Sequence, residues 1–290
     1  MPTYANAYRL LEEVRYGIGE YSDALVSGML PGTHRNEYLM NEINRAQMLI
    51  YALALDRIPG EFLKKADLTG VDSVFTLPAD FAQVIIFKNE RKLKVERINV
   101  DRLSRSGGSD RLYYRMGNTL ILEKSGVTDT YELWYRSRPR QIHTSRFLAD
   151  NAVNDLALDT AKIARIDDYY NGMKIENVTL NKVDTISDFV ASTGLATVVT
   201  GGTHSKGDFY GLVPELPEPL HILISAKAIL NIRSTSPVIK SKPTKADFEL
   251  YNDLLVTAFE AYSDYEEDVD FEEIFTDNMP PARQWGIVAE

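Results

Sequence analysis

The sequence predicts an α+β fold: an antiparallel helical bundle formed from N- and C-terminal helices, a β-rich excursion with an inserted β module, and an extended C-terminal arm. Three observations predict it. Apolar residues recur at three- and four-residue spacing at both ends of the chain. From about Val71 the period changes to two. Beyond Tyr265 an acidic run is too poor in apolar residues to build a core of its own.

Residues 1–70 read as the N-terminal helices of the bundle. Leu10, Leu11, Val14, Ile18, Tyr21 and Leu25 fall on one face, and "SGMLPGTH" interrupts them with the turn signal Pro31-Gly32. Leu39, Ile43, Ala46, Leu49, Ile50 and Leu53 form a second stripe that stops near "DRIPGEF". Two helices with a short link pack as an antiparallel pair. Residues 71–146 read as an antiparallel β region, with strands at Val74–Leu77, Ala82–Phe87, Leu93–Ile98, Leu112–Arg115, Thr119–Leu122 and Thr130–Tyr135. Gly117-Asn118 sits between two alternating runs and predicts a hairpin turn. "VFTLPADFAQVIIF" is a strand, a proline corner and a second strand; proline fixes φ and lacks a donor, so it marks a strand end.

Residues 147–213 read as an inserted module: "DNAVNDLALDTAKIARIDD" has weak helical character, and short strands follow, separated by Gly, Asn and Asp. Helical spacing returns over 214–265. Leu220, Leu223, Ile224 and Leu230 mark one helix, with Pro219 suited to its first turn. "TKAD" from Thr244 predicts a capping box, with Asp in place of Glu or Gln, ahead of the stripe Phe248, Tyr251, Leu254, Leu255, Ala258 and Tyr262. Residues 266–290 form the extended arm.

At 290 residues and 44% hydrophobic the chain is long enough to bury a sizeable core. No apolar run approaches the ~18 residues that span a bilayer, and "MPTYANAYRLLEEVRYG" lacks the basic flank and apolar stretch of a secretory signal. The absence of cysteine excludes disulfides, thiolate catalysis and cysteine-based zinc sites. The net charge of −10 is unevenly spread: twelve acidic residues and no Lys or Arg lie between Ala246 and Ala282, whereas Lys88 to Arg146 holds fourteen Lys/Arg against seven Asp/Glu. Such asymmetry suits complementary surfaces on neighbouring copies or on a partner.

The helix pair, then "FTLPADFAQV", "LYYRMGNTLILE", "YELWYRSRP" and "VPELPEPLHILISAKAIL", in that order, resemble the head-to-tail adaptor family of tailed bacteriophages. "DDYYNGMKI" through "DTISDFVASTGLATVV" resembles a β module inserted in some phage neck and tail proteins. The resemblance covers most of residues 5 to 262, and the insertion at about 150–212 departs from the family pattern. It implies a structural virion protein of the neck, made in the host cytoplasm. Such proteins form a ring, typically twelve-fold, beneath the portal; the ring extends the DNA channel and offers a platform for tail or nozzle proteins. It also implies that the C-terminal arm docks onto the portal protein.

In the arm, Phe271, Ile274, Phe275 and Trp285 are apolar anchors in a segment that folds on binding; a solvated tail is the other reading of the same composition. Arg91, Lys92, Arg136, Arg138, Arg140, Lys240 and Lys242 are candidates for a channel lining or for contacts between subunits, or simply solvated strand faces. A duct through which double-stranded DNA slides gains nothing from tight phosphate contacts, which favours pairing with acids of a neighbour. Catalysis has little to work with. The four histidines, His34, His143, His204 and His221, are far apart in sequence, and no serine elbow, phosphate loop or dinucleotide fingerprint is present. The expectation is a non-enzymatic adaptor without cofactor, metal or membrane contact. The alternatives are a tail-side neck or stopper protein and, further off, a neck-associated cell-wall hydrolase.

Overall fold

The computed structural model describes residues 5–20, 34–98, 111–150, 154–199, 204–237, 239 and 242–263. Among them the chain forms thirteen strands in three sheets and four α-helices. The expected antiparallel helical bundle with a β excursion is therefore corrected: the molecule is mostly sheet. Helices of 11–22 residues give a long periodic signal, whereas most of the strands are only two to five residues long and leave little alternation to read. Length of signal, not share of the fold, set the expectation.

Helix α1 (Ala7–Gly17) starts at Asn6, whose side chain accepts from the Arg9 amide, and buries Leu10, Leu11 and Val14. Helix α2 (Asn36–Arg57) buries Leu39, Ile43, Ala46 and Ile50. Residues 63–69, grouped by the sequence with the N-terminal helices, instead form β1 (Leu63–Thr69), directly after a short 3-10 turn at Pro59–Phe62. There follow β2 (Val74–Thr76), β3 (Phe81–Lys88), β4 (Glu96–Arg97), β5 (Leu112–Met116), β6 (Thr119–Leu122) and β7 (Thr130–Ser137). Gly117, at φ +59, opens the β5–β6 turn, the conformation a two-residue hairpin asks of its first central residue.

These seven strands make two sheets, ordered β1-β7-β3 and β2-β6-β5-β4, around one core. Phe75, Phe87, Tyr113 and Tyr131 meet there, with ring centroids 4.9–5.6 Å apart and mostly edge-to-face. On β7, Tyr131, Leu133 and Tyr135 point inward, whereas Trp134 and Arg136 are only half-buried.

The second lobe holds β8 (Thr144–Arg146), β9 (Asp155–Ala157), β10 (Lys174–Asn177), β11 (Lys182–Val190), β12 (Leu195–Val198) and β13 (Phe209–Leu212), with helices α3 (His221–Thr235) and α4 (Lys245–Ser263). The weakly helical stretch expected near residue 155 is strand β9 and a run of turns. The sheet order is β8-β13-β10-β11-β12-β9. The Leu148 amide donates to the Ala157 carbonyl at 2.9 Å, so the chain just past β8 returns to the opposite edge strand. Phe147, Ile175, Phe189, Tyr210 and Leu212 share one core with Leu10, Ile43 and Leu223. Residues 147–213 therefore do not hang from the helices; the helices cover this sheet, and each large side chain so buried contributes about 1.5–3 kcal/mol. At Thr244 the hydroxyl donates to Asp247 Oδ2 at 2.8 Å and the Thr244 amide donates to the same atom at 2.7 Å, closing the start of α4.

Candidate functional site

The two lobes are joined by the connector from Ser137 to Thr144, and α2 reads its backbone. Asn44 donates to the Ile142 carbonyl (2.9 Å) and accepts from the Ile142 amide (2.8 Å). Gln47 donates to the Arg140 carbonyl (2.8 Å), and the Tyr51 hydroxyl donates to the Ser137 carbonyl (2.8 Å). Positions 44, 47 and 51 share one helix face, so a polar stripe of α2 holds an extended segment as a neighbouring strand would.

Next to that stripe lies a charged joint. Asp80, at the proline corner, is buried; it accepts from Lys64 Nζ at 2.6 Å and from the Tyr135 hydroxyl at 3.0 Å. Lys64 also lies 3.6 Å from Glu215. Arg140 grips Glu215 with Nε at 2.9 Å and Nη2 at 2.6 Å, while Nη1 donates to the carbonyls of Tyr169 and Asn171, both at 2.7 Å. Burial opposes the charge of Arg140, yet its bonds to Glu215 prevail and its pKa is raised. Burial, reinforced by Asp80, pushes the Tyr135 phenol up, so it stays a neutral donor. Asp80 belongs to "LPAD" and Glu215 to "VPELPEPL". Two of the segments that carry the resemblance thus meet through Lys64 and Arg140.

The basic residues singled out in the sequence separate. Arg140 is spent inside the joint. Lys92, at φ +60 in the turn after β3, reaches Glu132 Oε2 at 2.8 Å, where Lys65 (2.7 Å) also lies and Trp134 donates to Oε1 (2.7 Å). These bonds, Lys65's first, then Lys92's, hold the Glu132 carboxyl at about 2. Arg91 is exposed in the same turn, and Arg136 is half-buried opposite Leu63 and Gln83. Lys242 donates to the Ser236 carbonyl at 2.8 Å. Lys240 and the arm residues Phe271, Ile274, Phe275 and Trp285 lie outside the described residues. Arg138 is exposed, with no hydrogen bond or ion pair from its side chain among the described residues.

Arg138 and Arg140 do come together, on the wall of a cleft of about 420 Å³ beside the joint, with Arg45, Met48, Ala79 and Pro139. No acidic residue lines it among the described residues. Sequence reasoning missed Lys64, Asp80 and Glu215; the one signal that pointed to the acids was their place in the motif segments, Glu215 directly after Pro214 and Asp80 two residues after Pro78.

His143, His204 and His221 are buried, and burial holds all three below the usual imidazole range, His143 at about 4. Among the described residues no group of three or more His, Asp or Glu side chains could hold a metal ion. Among them, too, no helix is long and apolar enough to cross a membrane. Comparison with protein-family models and with curated proteins returned no match.

Proposed function

We propose that the chain is a structural head-to-tail adaptor of a tailed phage, assembling as a ring under the portal, extending the DNA channel and offering tail proteins a docking platform. The observation that carries the reading is the joint. The "LPAD" corner and the "VPELPEPL" segment are 135 positions apart at Asp80 and Glu215, yet Lys64 bridges them and Arg140 and Tyr135 complete the network. Residues that resemble family motifs and also converge in space support a shared architecture better than order along the chain alone. A stiff link between two separately packed lobes suits a part that transmits load between rings and performs no chemistry.

In this reading the arm, with Phe271, Ile274, Phe275 and Trp285, docks on the portal, and DNA passes without sequence recognition. The test is co-sedimentation with the portal ring encoded by the same genome, with and without residues 266–290. Saturable binding at one chain per portal subunit, lost on truncation, is the expected outcome. Failure of the full chain to bind overturns the reading, and binding that survives truncation moves the contact from the arm to the folded lobes.

A further inference from the structure

Helix α2 carries an apolar stripe that none of the described residues covers. Met48, Leu49 and Leu53 are 41%, 42% and 44% exposed, and Met48 borders the arginine-lined cleft beside the joint. Arg45 at its edge is 68% exposed and, among the described residues, makes one long 3.8 Å ion contact, to Glu42. Helix α4 exposes a second stripe. Phe248 and Val256, two helical turns apart, are 46% and 48% exposed, and Glu249 and Asp253 flank them in solvent. After Lys245, which pairs with Glu249 at 3.1 Å, the helix as far as Ser263 carries acidic residues and no Lys or Arg. One surface is thus apolar with Arg45 and Arg138 at one end and Asp56 beyond Leu53, the other apolar with a mainly acidic rim. Among the described residues both are exposed and neither covers the other, which leaves each open to a second copy.

We propose that the acidic face of α4 in one copy docks into the groove formed by α2 and the Arg138–Pro139 connector of a second copy, Phe248 and Val256 covering Met48, Leu49 and Leu53, and Glu249 and Asp253 facing Arg45 and Arg138. An amphipathic helix in an apolar groove supplies the area, and the opposed rims fix which way it lies. Two different patches make a heterologous contact, which repeats head to tail and closes into a ring where the rotation allows. The inference rests on the ring reading above and names its subunit interface.

The chain has no cysteine, so a pair of introduced thiols reports without background. Full-length Met48→Cys and Val256→Cys variants, both at exposed positions, are mixed under mild oxidation, free and on the portal ring. A mixed disulfide is expected, with neither variant pairing with itself, and the double variant should give a ladder of multimers. Arg138→Glu should lower the mixed product by about fivefold, and Asp253→Lys in the partner should restore it. Self-pairs alone, or no mixed product in either condition, overturn the proposal. Portal binding without the mixed disulfide removes this interface and leaves the adaptor reading standing; the mixed disulfide without portal binding does the reverse.

Discussion

Arg140 shows how one residue can carry the link between two cores. Its guanidinium satisfies Glu215 and two carbonyls at once, and its backbone carbonyl is taken by Gln47. Arg140→Met leaves Glu215 with the backbone amide of residue 140 at 3.0 Å and the half-exposed Lys64 at 3.6 Å, and strips both carbonyls of the guanidinium donor. Removing one partner of a buried pair costs about 3 kcal/mol, so the urea midpoint of this variant should fall by that equivalent. Arg140→Lys keeps the charge but has no planar fork and should recover only part of the loss. An unchanged midpoint for Arg140→Met would mean that the joint adds nothing to stability. The sequence marks Arg140 as basic and does not say which of 42 acidic residues it meets. Periodicity reports which face is buried; the partner of a buried charge is set by topology, and that is why Asp80 and Glu215 went unread.

Elements were legible where they are long or capped. The α4 capping box and the Gly117 turn are local chemistry, and local chemistry survives in any tertiary context. Strand β1, "LKKADLT", alternates weakly because only Leu68 in it is well buried, and β9 is three residues long. In α2 the apolar pattern puts Leu49 and Leu53 inside; the structure exposes them and buries Gln47 and Tyr51. The connector lying across that face offers carbonyls, so polar side chains are the better fit there. A similar constraint sits where α1 meets β13. A Cβ on Gly211 would come within 2.7 Å of Asn6 Oδ1 and 2.8 Å of the Tyr8 amide nitrogen, both in the first turn of α1. Gly211→Ala should push that turn off the sheet and loosen Asn6 and Arg9 from Glu176, at a cost of about 1–3 kcal/mol. Amide exchange should quicken in α1 and stay unchanged in β5 and β6; equal change in both lobes would count against a local effect.

At the scale of the whole molecule, two cores that share a connector and a charged joint should respond to acid in different pH windows. The larger lobe buries His143, His204 and His221 with depressed pKa values, His143 at about 4. Unfolded, these imidazoles take up protons near pH 6.5 that the folded lobe refuses, so its stability is full above about 6.5 and falls as pH drops toward 4. His143 alone accounts for a loss on the order of 3 kcal/mol. In the smaller lobe the sign is the same but the window is lower. Glu132 at about 2 stays ionised after the unfolded carboxyl, near 4.5, has protonated, so its contribution persists at pH 5 and is lost between about 4.5 and 2. Trp134 donates to Glu132 and is one of two tryptophans; in a Trp285→Phe chain it is the sole indole and reports on the smaller lobe. On acid titration, amide exchange in β10 and β11 should therefore quicken before Trp134 fluorescence changes. A single transition in which both signals move together between pH 6.5 and 4 would mean that the Arg140–Glu215 link couples the lobes more strongly than their separate proton uptake divides them. The same titration on Arg140→Met would then pull the two signals apart.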